Sequence, residues 1–249
     1  MKFKNRKELD IYIRRYCTML GFGSAGSAYY DKKTRSVIKI FDYALDDDYA
    51  DVFEFGNIDF LRFVDIKNGT YIFPYENVIM DDRVVGYMTE VAKGKNISKM
   101  DPLTVNLDSI EKSFVKTFDD VKTISDAGVL SEDVPYNVLF SEDEEKTYII
   151  DSDYYTKDEY EPDYLYDRNL SKITYSYKLF LVDGYFNNFI NKRKGLKSAY
   201  EDRECGLLEF LKDFRKELSE SVGYGVETLE DAKGLVGSNK RKIFVRTLK

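Results

Sequence analysis

Leu20-Gly21-Phe22-Gly23-Ser24-Ala25-Gly26-Ser27-Ala28-Tyr29 and, past a polar turn, Val37-Ile38-Lys39-Ile40 place a G-x-G-x-x-G loop between two runs of strand-forming residues. Glycines at this spacing permit close backbone approach, so that amide N–H groups can face a phosphate; they equally suit an ordinary glycine hairpin. A dinucleotide-binding fold needs a strand before the motif and a helix after it. Here the order is strand, turn, strand, with Asp31-Lys32-Lys33-Thr34-Arg35 as the turn, which disfavours that fold although Asp42 and Asp46 lie where its acid would fall. Lys39 sits inside an apolar strand. Its ammonium either reaches solvent from an edge strand or is buried with a counter-charge, because an unpaired buried cation is costly. Glu54, on the segment that follows, is a suitable partner.

Outward from this stretch, residues 13–20, 28–31 and 36–41 read as strands of a small antiparallel meander. Phe53, Ile58, Leu61 and Val64 recur at helical spacing over residues 50–64, weakened by Gly56. Strand patterns return at residues 70–73 and 83–90, either side of an Asp81-Asp82 turn. Beyond the polar break Lys93-Gly94-Lys95, a helical period runs from Leu107 to Ile124 and stops at Gly128. Residues 138–140 and 147–150 read as a strand pair. From about Leu170 the pattern is mostly helical, with residues 207–218 the clearest amphipathic stretch.

Composition narrows the chemistry. The 249 residues carry a net charge of -7, 21 Tyr, 17 Phe and 4 Pro, which predicts a folded globule with much to bury. There is no histidine, so Ser-His-Asp and Cys-His nucleophiles, imidazole bases and histidine metal ligands are excluded; acid-base work falls to carboxylates, Lys or Tyr. Two distant cysteines, Cys17 and Cys205, suit a reducing, cytoplasmic setting with buried, unpaired thiols. The acidic balance argues against nucleic acid as a partner, and no apolar run is long enough for a membrane span.

A glycine loop between two strands, a lysine in the third, then a glutamate on a helix resembles the N-terminal lobe of the protein kinase-like superfamily. The later motifs extend the resemblance across residues 13–153. Val84-Val85-Gly86-Tyr87-Met88-Thr89-Glu90-Val91-Ala92-Lys93-Gly94-Lys95 is similar to a strand running into a hinge. Asp133-Val134-Pro135-Tyr136-Asn137 is similar to a catalytic loop, and Tyr148-Ile149-Ile150-Asp151-Ser152-Asp153 to a strand ending in a metal-binding triplet. The resemblance implies an α+β, bilobal kinase-like fold with an N-terminal lobe over residues 1–90, built on a five-stranded sheet, and a mainly helical C-terminal lobe over residues 91–249. It implies ATP and Mg²⁺ as cofactors. Lys39, steadied by Glu54, would hold the α- and β-phosphates. Gly21, Gly23 and Gly26 would cover them; Leu20, Ala28, Val37 and Leu139 would wall the adenine; Thr89 would guard the pocket, and the backbone of Glu90 and Ala92 would pair the base edge. Asn137, Asp151 and Asp153 would supply hard oxygen ligands to the metal.

The departures from the family pattern bear on mechanism. Ser131 and Glu132 stand where the loop's His and Arg belong, and Asp133 precedes Asn137 by one residue fewer than usual. Asp133 is the favoured base, with Glu132 its rival, since the usual spacing counted back from Asn137 lands on Glu132. The triplet is Asp-Ser-Asp, closer to the paired-acid form of small-molecule kinases, and Glu161-Pro162 makes a poor end to an activation segment. These features leave the acceptor open between a protein hydroxyl and a small molecule. They also leave a second function class, a pseudokinase that binds nucleotide or a partner protein without transfer. The acid-rich residues 151–167 fit a solvated loop better than an attractor of cationic substrate, and Tyr154, Tyr155, Tyr160, Tyr164 and Tyr166 are expected to anchor packing.

Overall fold

The computed structural model describes residues 1–45 and 59–236. The chain is α+β and divides into two compact units. Unit 1 holds Met1–Lys67, Ile72–Ala92 and Asp151–Asp153; unit 2 holds Asn68–Tyr71, Lys93–Ile150 and Tyr154–Lys249.

Unit 1 is built on a six-stranded mixed sheet. In chain order it has β1 (Lys2–Phe3), α1 (Arg6–Tyr16), β2 (Cys17–Phe22), β3 (Gly26–Asp31), β4 (Ser36–Phe41), β5 (Pro74–Met80) and β6 (Arg83–Thr89). The order across the sheet is β1-β5-β6-β4-β3-β2; β1 runs parallel to β5 and the other neighbours are antiparallel. The sixth strand, β1, is too short to have a period of its own, and the expectation of five strands missed it. A second correction falls on residues 13–20, where strand was expected and α1 takes Ile13 to Tyr16. Asn5 caps that helix by accepting from the Glu8 amide, and Leu9, Tyr12, Ile13 and Tyr16 share one face by three- and four-residue spacing. The expected strand at residues 70–73 is displaced to β5, leaving Tyr71 with one isolated bridge to Ile149.

Two side-chain layers flank this sheet. Ile38, Ile40, Val78, Met88 and Leu9 form a core on one side, joined by Tyr12 and Ile13 of α1. The other carries Phe41, Phe60 and Tyr87 in ring contact. Gly26 allows the close approach of β3 to β4, because a Cβ there would lie 2.1 Å from the Ile40 carbonyl oxygen. Of the helix expected at residues 50–64, residues 50–58 lie outside the described residues; residues 59–66 form successive turns, with Arg62 N–H donating to Asp59 O and Val64 N–H to Leu61 O.

Unit 2 contains β7 (Lys95–Asn96), α2 (Leu107–Val115), α3 (Phe118–Asp126), β8 (Val129–Leu130), β9 (Val138–Ser141), β10 (Lys146–Ile149), β11 (Thr156–Lys157), α4 (Pro162–Val182), α5 (Asn187–Asn191), α6 (Lys194–Glu201) and α7 (Leu207–Val222). The single helix expected over residues 107–124 is two, parted at Lys116-Thr117, where the Thr117 hydroxyl turns back to the Phe114 carbonyl. Gly128, at φ +75°, ends the second. Helix α4 starts earlier than expected, at Pro162 in the first turn, and its buried stripe of Leu165, Asn169, Ile173, Tyr177 and Phe180 runs through the core. Of the five tyrosines expected to anchor packing, Tyr155 is buried, whereas Tyr154, Tyr160 and Tyr164 are exposed. Both cysteines are free thiols whose pKa is raised, first by burial. No helix among the described residues is long and apolar enough to cross a membrane.

Asp31 fastens α1 to the β3–β4 turn. Fully buried, it accepts from the Tyr12 hydroxyl at 2.7 Å, the Thr34 hydroxyl at 2.7 Å and the Lys33 amide at 2.9 Å. Burial alone would raise its pKa; the hydrogen bonds from Thr34, Tyr12 and the backbone outweigh burial and hold it below its ordinary value of 3.8. A depressed carboxyl pKa contributes stability above the unfolded value and loses it as pH falls through the folded one. Asp31→Asn is therefore expected to destabilise the protein at neutral pH, with the gap in urea midpoint to wild type narrowing as pH drops below 3.8.

Candidate functional site

In unit 1 the candidate residues gather around Lys39. It lies on β4, an interior strand, and its side chain is 11% exposed, which excludes the solvent-facing alternative. Cross-strand register sets Ala28, Lys39 and Tyr87 in one row, and Tyr30, Val37 and Thr89 in the next. These rows share a sheet face, since side chains two apart on a strand point the same way. The Lys39 ammonium donates to Asp151 Oδ1 and, at 2.5 Å, to Asp153 Oδ2. The rings of Phe41 and Tyr87 stand 5.6 and 5.8 Å from it. Glu54, the partner expected for Lys39, lies outside the described residues.

The two acids differ in setting. Asp153 is buried, takes the Tyr87 hydroxyl at 2.7 Å on its second oxygen, and has its backbone carbonyl 3.4 Å from Arg62 Nη2. Burial and the nearby Asp151 charge push the Asp153 carboxyl up to about 6, against the pull of Lys39 and Tyr87. Burial disfavours the Lys39 ammonium too, but the two carboxylates outweigh it and its pKa is raised. Asp151 is about one-third exposed and has left-handed backbone, φ +67°. Such a conformation is strained for a non-glycine residue and gathers at functional positions.

The glycine loop closes as a hairpin in which the Gly23 amide donates to the Gly26 carbonyl at 2.8 Å, with Ser24 and Ala25 at the tip. No atom outside the neighbouring residues would meet a Cβ at Gly21 or Gly23 within 4 Å. Leu20 is exposed, Ala28 and Val37 are half-buried, and Thr89 is buried with its hydroxyl on the Glu90 carbonyl. Glu90 is exposed and Ala92 half-buried.

In unit 2 the loop after β8 is pinned by α4. Asn169, fully buried, accepts from both the amide and the hydroxyl of Ser131 at 2.8 Å, and donates to Val129 O at 2.8 Å and Ser125 Oγ at 3.0 Å. One turn on, Lys172 donates to the Ser131 carbonyl and lies 2.8 Å from Glu132 Oε2. Glu132 is thus engaged by a lysine. Asp133 is exposed and left-handed at φ +56°. A 3₁₀ turn over Val134–Tyr136 brings Asn137 back so that its Nδ2 donates to Asp133 O at 2.9 Å, which lets four residues span the loop. Leu139 follows on β9, half-buried.

Tyr87, Asn169 and Lys172 were missed from sequence. A polar Asn169 in phase with the apolar stripe of α4 was the available signal; Lys172 and Tyr87 carried none. No protein-family model matches the chain, and no curated protein matches it significantly.

Replacing Asn169 with Leu strands the buried Ser131 amide and Val129 carbonyl. Each such group costs about 1–3 kcal/mol when unpaired, so Asn169→Leu should lower unfolding free energy in urea by roughly 2–4 kcal/mol, whereas Asp167→Asn on the exposed side of α4 should change it little.

Proposed function

We propose that the protein is an ATP- and Mg²⁺-dependent phosphotransferase of the protein kinase-like superfamily, acting on an alcohol. What carries the proposal is the buried Lys39 ammonium on a sheet face beside a glycine hairpin, engaged by two acids of which one, Asp151, is strained and partly open to solvent.

Phosphoryl transfer asks for neutralised phosphate charge and an acceptor placed in line. Lys39 provides a fixed cation for phosphate oxygens. Asp151 and the amide oxygen of Asn137 are hard donors of the kind Mg²⁺ takes, and this ion commonly uses one or two carboxylates with phosphate oxygens instead of an all-protein cage. When bound, Mg²⁺ neutralises charge on the transferring phosphate. Asp133 is assigned to take the acceptor's hydroxyl proton, with Glu132, whose Oε2 lies 2.8 Å from Lys172 Nζ, as its rival. The acceptor oxygen then bonds to the γ-phosphorus as the bond to the ADP oxygen breaks, and ADP leaves. A protein Ser or Thr and a small-molecule alcohol both satisfy this chemistry.

With Mg-ATP labelled in the γ-phosphate, wild type should transfer label to itself or to a generic protein acceptor, and Asp151→Ala should not; equal label in both would remove the assignment. Asp133→Asn should lower turnover by roughly two to four orders of magnitude with ATP affinity little changed, as for loss of a positioned base. Glu132→Gln should be mild, and an exchange of these two results would transfer the role to Glu132. Mg²⁺-dependent ATP binding without transfer would favour the pseudokinase.

A further inference from the structure

The acids of the Asp-Ser-Asp triplet sit in unlike environments around one lysine. Asp153 has a donor on each carboxylate oxygen, Lys39 Nζ on Oδ2 at 2.5 Å and Tyr87 Oη on Oδ1 at 2.7 Å, and its side chain is 1% exposed. Lys39 and Tyr87 are cross-strand partners on β4 and β6, both buried, so the sheet fixes the two donors relative to each other. Asp151 gives Oδ1 to the same ammonium but keeps a side chain 32% exposed. To enter a metal shell, Asp153 would have to surrender two short charge-assisted or hydroxyl bonds in a site closed to water. Asp151 would surrender one, from a site already open.

We infer that Asp153 is the fixed counter-ion of Lys39 and no metal ligand, that Tyr87 is the positioning residue holding Asp153, and that Asp151 is the acid of the triplet that takes the cation. This rests on the phosphotransferase reading for its ligands. The division gives the lysine two kinds of bond. The one to Asp153 persists and keeps the ammonium aimed. The one to Asp151 is exchanged, freeing one N–H for a phosphate oxygen as the Asp151 carboxylate turns to the metal. An ammonium has three N–H donors, so both can coexist.

Two readouts on the full chain separate this inference from the reading beneath it. The first needs no nucleotide: brief acylation with acetic anhydride, with modification of Lys39 quantified by peptide mass spectrometry. Asp153→Asn should raise Lys39 modification roughly tenfold, as loss of a charge-assisted hydrogen bond implies. Tyr87→Phe, a milder change that tests the same link if the first variant folds poorly, should raise it in the same direction by less. Unchanged modification in Tyr87→Phe and in folded Asp153→Asn would overturn the inference. The second readout is calorimetric titration with ATP, with and without Mg²⁺. Asp151→Asn should abolish the gain in affinity that Mg²⁺ brings; Asp153→Asn and Tyr87→Phe should weaken binding in both conditions and keep the gain. Loss of the gain in Asp153→Asn would make it a metal ligand and overturn the inference. If wild type binds no ATP, the phosphotransferase reading fails, and acylation alone decides whether Asp153 and Tyr87 hold Lys39.

Discussion

A lysine ammonium on an interior β-strand, with about nine-tenths of its side chain removed from water, must be answered by negative charge. Here the answer comes from Asp151 and Asp153, more than a hundred residues away along the chain. Chain that leaves unit 1 at Ala92 returns to it for three residues only, and those three carry both carboxylates. Closing so long a loop is entropically expensive, though the expense grows slowly with length. The contact therefore has to be strong in itself, and two carboxylates on one ammonium, backed by a tyrosine hydroxyl and two aromatic rings, meet that demand.

Among the described residues, the two left-handed aspartates outside hairpin turns are the two to which the proposed chemistry gives the base and the cation. Arg35, Asp81, Asp82 and Glu145 also have positive φ, but each lies in the turn of a hairpin, where that conformation is ordinary. Asp133 and Asp151 do not. Strain at such positions persists only where the surroundings determine the backbone. For the Asp133 loop those surroundings are visible: α4 holds Ser131 through Asn169 and Lys172, and Asn137 ties the far end back to Asp133. Rigid elements thus carry the loop, as the role proposed for Asp133 would require.

Much of this was legible in the sequence because it is local. The glycine hairpin, β3, β4 and the β9–β10 pair follow from alternation and turn residues, and the Asp133, Asn137 and Asp151 candidates come from the resemblance to the protein kinase-like superfamily. What failed had a physical cause. Ile13 and Tyr16 look like strand by composition, and it is the Asn5 cap together with the Leu9 spacing that makes them end a helix instead. Strand β5 begins at Pro74, where a missing N–H suits a first strand residue, while the apolar run before it forms a single bridge. The Asp153 partnership of Lys39 was out of reach, because local spacing offers Glu54 and is silent about a partner so distant. The apportioning of Glu132 to Lys172 was hidden for the same reason.

The most direct measurement is a crystal structure of the protein with Mg²⁺ and a non-hydrolysable ATP analogue. The account predicts Lys39 Nζ within hydrogen-bond distance of a phosphate oxygen and still on Asp153, with Asp151 turned from the lysine to the metal. A nucleotide bound away from Lys39, or one that leaves the Lys39–Asp151 pair intact with no cation on Asp151, would contradict it.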